Sequence, residues 1–297
     1  MTLGDLTRAE LASQPDCWRR ARQIGTGNSA LPAAGERVLM LGCGTSYYMG
    51  LAYAALREAA RLGMTDAAVA SEWAGDVAGR NYDRVIAISR SGTSIELLDA
   101  VSHVDADTPV VAVVGTPDSP LAERGQRQIV DLSFADEQSV VQTRFATTSL
   151  TVLRASLGED IDKDIDAARE ALDADLPTRP DQQLVMLGQG WGSALAQEAA
   201  LKCREAASIW AEAYPSGEYR HGPLAVAGPG TLVWGLTPLS AVLVSAIEAT
   251  GAATEQPLTA SPQAELVRVH RFAVDWALAR GRNPDRPAHL SRSVLHI

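Results

Sequence analysis

Hydroxyl side chains crowd a glycine-containing segment that follows a short apolar run. The segment reads Ser89-Arg90-Ser91-Gly92-Thr93-Ser94 and lies between the strand-like run 85–88 and the helix-like run 95–101. A turn between a strand and a helix offers backbone N–H groups to an anion, and each hydroxyl can donate to a phosphate oxygen. The same residues could instead form an ordinary helix N-cap. This segment alone leaves both interpretations open.

A second segment of the same kind favours an anion. Gly42-Cys43-Gly44-Thr45-Ser46 follows the strand-like run 38–41 and precedes a helical stretch over 47–58. Two such turns, each at the carboxyl end of a parallel strand, can converge on one ligand at the crevice of an open sheet. A dinucleotide is disfavoured because Tyr47 occupies the third position of the glycine fingerprint. The pattern therefore favours a phosphomonoester.

Groups suited to proton transfer lie later in the chain. Glu198, Lys202 and Glu205 have the i, i+4, i+7 spacing of one helix face. This spacing is also typical of a solvated Glu–Lys pair. His221 precedes Gly222-Pro223, which indicates the start of a loop, and a lone histidine of this kind is more often structural than catalytic.

Composition indicates a globular protein with a sizeable core. The 297 residues are 46% hydrophobic and 21% charged, and the net charge of −10 argues against general nucleic-acid binding. Apolar runs are too short for a membrane span, and the N-terminus lacks the features of a secretion signal. The three cysteines lack metal-like spacing. We expect a reduced cytoplasmic protein that needs neither a metal nor a cofactor.

The chain is predicted to be duplicated. The run 38–44 is echoed by 184–190, and each is followed by an Ala-rich helix. Alternating strands and helices predict the α/β class with two doubly wound parallel sheets. We expect a helical segment over 1–34, with one helix from about Thr7 to Ile24 outside the first sheet, and domains at 35–172 and 183–297. Thr237-Pro238-Leu239-Ser240 in the second half lacks a hydroxyl–glycine loop, so phosphate binding is expected in the first half and proton transfer in the second.

Several motifs together resemble the sugar isomerase (SIS) family. Within it they most resemble the isomerase half of glucosamine-fructose-6-phosphate aminotransferase and its stand-alone relatives. The resemblance spans nearly the whole chain in the family's order. The motifs that carry it are 13–15, 43–47, 70–73, 89–94, 142–148, 199–205 and 218–223.

The resemblance implies a role for each matching residue. The implied phosphate ligands are Ser89, Ser91, Ser94, Thr45 and Ser46, and the implied sugar-binding residues are Gly44, Val140, Val141 and Gln142. Glu205 matches the general base, with Glu198 and Lys202 beside it. His221 matches a ring-opening histidine that reaches the active site of a neighbouring subunit, which implies a homodimer. Arg90 replaces a glutamine and either contacts the phosphate or points outward.

The C-terminal segment departs from the aminotransferase. Arg292 replaces a lysine that forms a Schiff base with the ketose, and a guanidinium cannot take that role, although it can hydrogen-bond a sugar oxygen. The resemblance begins at the isomerase region, so glutamine-dependent amination is not expected. His103, His270 and His296 match no motif and are interpreted as surface or packing residues.

The expected function is catalysis on an amino hexose 6-phosphate. Removal of the C2 proton by Glu205 would lead to aldose–ketose isomerisation, or to isomerising deamination where C2 carries a free amine. A lyase that eliminates the C3 substituent of an N-acetylhexosamine 6-phosphate uses the same first step and remains an alternative. A non-catalytic sugar-phosphate sensor is a second alternative, in which Glu205 and His221 would be idle.

Overall fold

Parallel strands and helices alternate along the chain. The computed structural model describes residues 2–73, 75, 80–123 and 128–293. In this part of the chain the helices are α1 Asp5–Ala12, α2 Gln14–Gly25, α3 Thr45–Ala59, α4 Ile95–Ser102, α5 Pro120–Glu123, α6 Arg144–Ser156, α7 Asp162–Asp173, α8 Trp191–Ala207, α9 Ala241–Glu248 and α10 Pro262–Ala279. The strands are β1 Val38–Gly42, β2 Thr65–Val69, β3 Arg84–Ser89, β4 Val110–Val114, β5 Gln128–Asp131, β6 Gln183–Gly188, β7 Ala211–Pro215, β8 Thr231–Gly235 and β9 Ala253–Glu255.

These elements form two compact units. The first unit comprises the described residues of Asp16–Gln138, Arg144–Asp162 and Ser291–Ile297. The second unit comprises those of Met1–Pro15, Ser139–Thr143 and Lys163–Leu290. Two short segments of the first half of the sequence thus belong to the second unit, and the C-terminal segment belongs to the first unit. The domain limits 1–34, 35–172 and 183–297 stay a prediction.

The first unit contains a five-stranded parallel sheet in the order β2-β1-β3-β4-β5. Every residue of β1 is buried, and so is every residue of β4 after Val110. Because successive side chains of a strand point to opposite faces, burial of all of them means that both faces are covered. Helices α3 and α4 contact β1, and α5 contacts β4.

The second unit contains a four-stranded parallel sheet in the order β7-β6-β8-β9. Its first strand again lies between its two successors, as β1 does between β2 and β3. Helix α8 packs against β6, β7 and α10. The predicted class, α/β with two doubly wound parallel sheets, is confirmed, and the shared strand order agrees with a duplication.

The N-terminal helix predicted over residues 7–24 is wrong as a single element. Two helices are present, α1 and α2, and they are separated at Ser13. Pro15 lacks the N–H that would extend α1, and the Gln14 side chain donates to the Leu11 carbonyl instead, at 3.2 Å. Helix α1 packs on α10 in the second unit. In the first unit, the Trp18 indole of α2 donates to Thr147 Oγ1 at 2.9 Å.

A helix able to cross a membrane would have to be both long and continuously apolar. No helix within the described ranges meets both conditions.

Each unit has a tight junction between its first strand and the following helix. Gly44 has φ +50° and Gly190 has φ +57°, a conformation that residues with a side chain rarely adopt. A Cβ built at Gly188 would lie 2.1 Å from the carbonyl oxygen of Gly192, in the first turn of α8. Only glycine lets the strand end approach the helix this closely.

We predict that Gly188→Ala lowers the free energy of unfolding by about 1–3 kcal/mol or more, because backbone must move to admit the methyl group. The matched control is Gly228→Ala, where the nearest atom, the Thr250 carbonyl oxygen, lies 3.9 Å from the added Cβ. The control is expected to change stability by less than about 0.5 kcal/mol. Urea denaturation of the three proteins measures both effects, and equal stabilities would contradict the prediction.

Candidate active-site residues of the two units

The two hydroxyl-rich turns of the first unit follow neighbouring strands. Strand β1 pairs with β3, and the chain then leaves β1 toward β2 on one side and β3 toward β4 on the other. Ligands of open α/β sheets bind at such a switch point, outside the carboxyl ends of the strands. The turns 42–46 and 89–94 both lie at this edge.

The turn after β3 keeps its hydroxyl protons available. Ser89 Oγ accepts from the Gly92 N–H at 2.9 Å, and Ser91 Oγ accepts from the Thr93 N–H at 3.2 Å and from the Thr93 hydroxyl at 2.9 Å. Ser94 holds the N-cap position of α4, yet its side chain makes no capping hydrogen bond. The ordinary N-cap role is therefore unfilled, and these hydroxyls can donate to an external anion.

The turn after β1 presents two more hydroxyls at the start of α3. Thr45 and Ser46 are 5% and 6% exposed, and neither hydroxyl has a hydrogen-bond partner within the described residues. Helix α3 is 15 residues long, so its N-terminus adds a favourable field for a negative charge. This turn therefore complements the one after β3.

Arg90 connects the turn after β3 to the C-terminal segment. Its side chain is 2% exposed, so it does not point outward, and Nη2 donates to the Arg292 carbonyl at 2.7 Å. The Arg292 guanidinium donates to both carboxylate oxygens of Asp136, at 2.6 and 2.5 Å. Arg292 is thereby held at the edge of the first unit by a charge pair.

The cysteine beside this site is a poor nucleophile. Burial, with a smaller contribution from Glu96, raises the pKa of the Cys43 thiol to about 11. Complete burial likewise raises the pKa of Cys203 to about 12. Both remain thiols at neutral pH, and no described cysteine forms a disulfide.

The charged cluster on α8 lies in the second unit and is largely buried. The side chains of Glu198 and Lys202 are 0% and 1% exposed, and Lys202 Nζ lies 3.6 Å from Glu198 Oε1. Lys202 also donates a short hydrogen bond to Glu205, whose side chain is 21% exposed. The alternative of a solvated Glu–Lys pair is wrong. The cluster therefore consists of a buried charge pair, Glu198 and Lys202, and of the Glu205 carboxylate, which solvent can reach.

His270 of α10 packs into the same region of the second unit. It is 1% exposed, and its Nδ1 lies 3.4 Å from Gln14 Nε2. Burial, and to a smaller extent the charge of Lys202, lowers the pKa of His270 to about 3. The ring is therefore neutral at physiological pH, and its interpretation as a packing residue is confirmed.

The predicted sugar-binding stretch 140–142 also belongs to the second unit. The Val140 N–H donates to the Asp285 carbonyl at 3.0 Å, and Val141 is buried. Gln142 Oε1 is buried and has no hydrogen-bond partner within the described residues. A buried amide oxygen without a partner is costly, so this atom is a suitable acceptor for a ligand hydroxyl.

His221 occupies an exposed loop of the second unit. Its backbone N–H donates to the Glu218 carbonyl at 2.9 Å, which forms a turn. The imidazole makes no hydrogen bond to any other described residue. The side chain is therefore accessible.

The predicted site residues thus fall into two groups. The phosphate turns with Gly44, Arg90 and Arg292 lie in the first unit, and the α8 cluster with His221 and 140–142 lies in the second. The roles assigned to these residues stay predictions. His103 is exposed, whereas His296 lies outside the described residues.

Two residues near these groups, Asp136 and His270, have no recognisable sequence signal. Asp136 pairs with Arg292 across 156 positions, and Gln14 meets His270 across 256 positions. A carboxylate five residues after a strand, or a histidine within a partly apolar helix, is common in proteins. Only the tertiary fold brings these residues to the partners that they contact.

We predict that Lys202→Met lowers the free energy of unfolding by about 3–5 kcal/mol, because it removes the lysine charge that pairs with the buried Glu198 carboxylate. Adding Glu198→Gln should recover a large part of this loss, since the second change removes the buried charge. Urea denaturation of the single and double variants measures both values. A Lys202→Met protein within about 1 kcal/mol of wild type would contradict the burial of a charged pair.

His270 gives a prediction about acid stability. In the unfolded chain the ring binds a proton below its ordinary value of 6.5, but in the folded chain only near pH 3. The folded protein therefore loses stability as the pH falls from 6.5 toward 3 and keeps it above 6.5. His270→Gln should remove about 1.4 kcal/mol per pH unit from the slope of unfolding free energy against pH in that window. Parallel slopes for both proteins between pH 4.5 and 6 would contradict it.

Sequence comparison relates the chain to isomerizing aminotransferases. It is 31% identical over 329 residues to a glutamine–fructose-6-phosphate aminotransferase [isomerizing] of Pyrobaculum aerophilum, a match that covers 92% of the chain and 53% of that protein. The chain spans about half the length of the curated relatives it matches. No protein-family model matches it.

Structure comparison finds the same fold in solved phosphosugar enzymes. A glucosamine-6-phosphate deaminase from Thermotoga maritima superposes with a TM-score of 0.79 at 24% identity, over 97% of this chain and 99% of that one. The tagatose-6-phosphate ketose/aldose isomerase of Escherichia coli superposes with a TM-score of 0.75 at 18% identity, over 99% of this chain and 97% of that one. The resemblance to the sugar isomerase (SIS) family is therefore confirmed, by sequence through the aminotransferases and by fold through the phosphosugar isomerases.

Proposed function

We propose that the chain is an enzyme that isomerises, or isomerises and deaminates, an amino hexose 6-phosphate. The observation that carries this proposal is the setting of Glu205. Its carboxylate is partly exposed and is held by Lys202, which is itself buried against Glu198. A carboxylate fixed in this way, with one side open to solvent, is suited to move a proton at a bound sugar.

The 6-phosphate is proposed to bind at the switch point of the first sheet. Ser89, Ser91, Ser94, Thr45 and Ser46 offer hydroxyl donors there, beside the N-termini of α3 and α4. The unfilled N-cap role of Ser94 supports this assignment over a structural one. The negative net charge does not oppose it, because turn amides and hydroxyls bind phosphate without bulk positive charge.

The reaction begins with an open-chain sugar. We assign ring opening to His221, whose imidazole is exposed and makes no hydrogen bond to other described residues. In the proposed arrangement it serves a neighbouring subunit of a homodimer. Gln142 Oε1, a buried acceptor without a partner, would then receive a sugar hydroxyl.

Proton transfer at carbon follows ring opening. Glu205 removes the C2 proton, and the electron pair moves toward C1 to form an enediol or an enamine. Return of a proton to C1 gives the ketose, and hydrolysis of the C2 imine releases ammonia where C2 carries a free amine. Arg292 forms no Schiff base, since a guanidinium stays protonated, and its pair with Asp136 instead holds the C-terminal segment beside the phosphate turn.

The names of the related proteins agree with this chemistry. They include an isomerizing aminotransferase, a glucosamine-6-phosphate deaminase and a tagatose-6-phosphate ketose/aldose isomerase. Each name describes an enzyme of a hexose 6-phosphate. We place the reaction in the cytoplasm, where thiols remain reduced.

The test is proton NMR in D2O with glucosamine 6-phosphate, its N-acetyl form, galactosamine 6-phosphate and fructose 6-phosphate. Loss of the C2–H signal together with a ketose phosphate or ammonia would support the proposal. A new vinylic proton from the acetylated sugar would show C3 elimination and overturn it in favour of a lyase. No exchange with any of the four would favour a sensor.

We predict that Glu205→Gln lowers kcat by about 10²–10⁴-fold, because the amide cannot accept the C2 proton. Binding of the sugar phosphate should remain, since the phosphate turns lie in the other unit. The matched control is Glu170→Gln, which alters an exposed carboxylate of α7 in the same unit as Glu205. Steady-state kinetics and isothermal titration calorimetry measure both quantities. Unchanged turnover in Glu205→Gln would remove Glu205 from the mechanism.

A further inference from the structure

The second sheet has its own switch point, and a pocket lies there. Strand β6 pairs with both β7 and β8, so the chain leaves it in opposite directions, as it does from β1 and β3 in the first sheet. A pocket of about 350 Å³ is present at the carboxyl ends of these strands. Its lining includes Gln189, Ser216, Arg220, Leu239, Ser240 and Leu243. All of them belong to the second unit.

Arg220 supplies the pocket with a positive charge. Its guanidinium makes no ion pair or hydrogen bond to any other described residue, although the chain as a whole has a net charge of −10. A planar guanidinium is the side chain that best matches the oxygens of a phosphate, through two parallel hydrogen bonds. An arginine without a protein partner at the wall of a pocket therefore favours an anionic ligand.

Further polar atoms of the pocket are available to a ligand. Ser216 Oγ is buried and has no hydrogen-bond partner within the described residues. The Gln189 N–H donates to Thr237 Oγ1 at 3.1 Å, whereas its carboxamide makes no hydrogen bond to the described residues. The 17-residue helix α8 begins directly after this loop, so its N-terminus adds to the positive potential.

Two leucines make part of the lining apolar, and the volume of the pocket limits the size of the ligand. Leu239 and Leu243 are 6% and 5% exposed and belong to the core of the second unit. Ligand pockets in proteins range from about 300 to 1,000 Å³, so this pocket lies at the small end. It fits a small metabolite with an anionic group, some hydroxyls and a short carbon skeleton.

We propose that this pocket is a second ligand site, which binds a small hydroxylated phosphomonoester. It lies on the second unit, whereas the hydroxyl turns proposed for the substrate phosphate lie on the first. The sequence pattern predicts phosphate binding in the first half, because 237–240 lacks a hydroxyl–glycine turn. In the second unit we assign the binding of the anionic group to the charge of Arg220. This residue lies in the loop after β7, for which the sequence pattern does not predict phosphate binding.

The experiment is isothermal titration calorimetry of the whole chain with glucitol 6-phosphate, which has no carbonyl group and cannot react. Inorganic phosphate is titrated in parallel to separate binding of the bare anion from binding of the phosphorylated polyol. The variants are Arg220→Gln, Ser216→Ala and the double variant Ser91→Ala/Ser94→Ala. The matched control is Arg280→Gln, an exposed arginine at the end of α10 that does not line the pocket.

The proposal requires a site that Arg220→Gln weakens by about tenfold or more and that Ser91→Ala/Ser94→Ala leaves intact. Ser216→Ala should weaken the same site, and Arg280→Gln should leave it unchanged. The idea is overturned if no titrated site responds to Arg220→Gln, or if every site is lost with the first-unit serines. Failure of the proposed enzyme activity is a separate result, because this titration involves no turnover.

Discussion

Burial of both faces of the central strands of each parallel sheet is the constraint on which the arrangement of polar groups depends. Strand β1 and most of β4 have no exposed residue, so no ligand can be reached from the face of the sheet. Polar groups can meet a ligand only beyond the strand ends. The order of the strands then selects the place, because a strand that lies between its two successors opens a crevice at its carboxyl end.

This constraint agrees with the proposed division of the chemistry between turns and helix faces. Hydroxyls for an anion need no charge and fit a turn, whereas proton transfer needs an ionised carboxylate in a controlled environment. In the proposed function, helix α8 meets that need, because Glu198 and Lys202 are buried against each other and Glu205 is partly open. A buried ion pair gains little net stability, so its presence is better explained by the position it gives to Glu205.

Local patterns predicted much of the fold and part of the candidate site. Strand-like runs gave β1, β3 and β6 to within about two residues, the usual uncertainty of element ends. The break between α1 and α2 escaped the helical periodicity, although Pro15 provides a local reason for it. The setting of Lys202 was beyond prediction, because an i, i+4 pair has the same spacing on a solvated helix as on a buried one. Asp136 and His270 lie far along the chain from the residues they contact, and only the fold brings them there.

The central strands of the two units share one order, but the carboxyl edges of the two sheets carry different polar groups. The first unit offers hydroxyls in two turns, and the second offers Arg220 and a buried serine hydroxyl. Arg220 and His221 are neighbours in one loop, whose turn is closed by the hydrogen bond from His221 N–H to the Glu218 carbonyl. A ligand held by Arg220 would therefore restrict the same backbone that presents His221. Coupling between two binding sites is reciprocal. If a ligand in the pocket favours one position of His221, a substrate that selects the same position must raise the affinity of the pocket for its ligand.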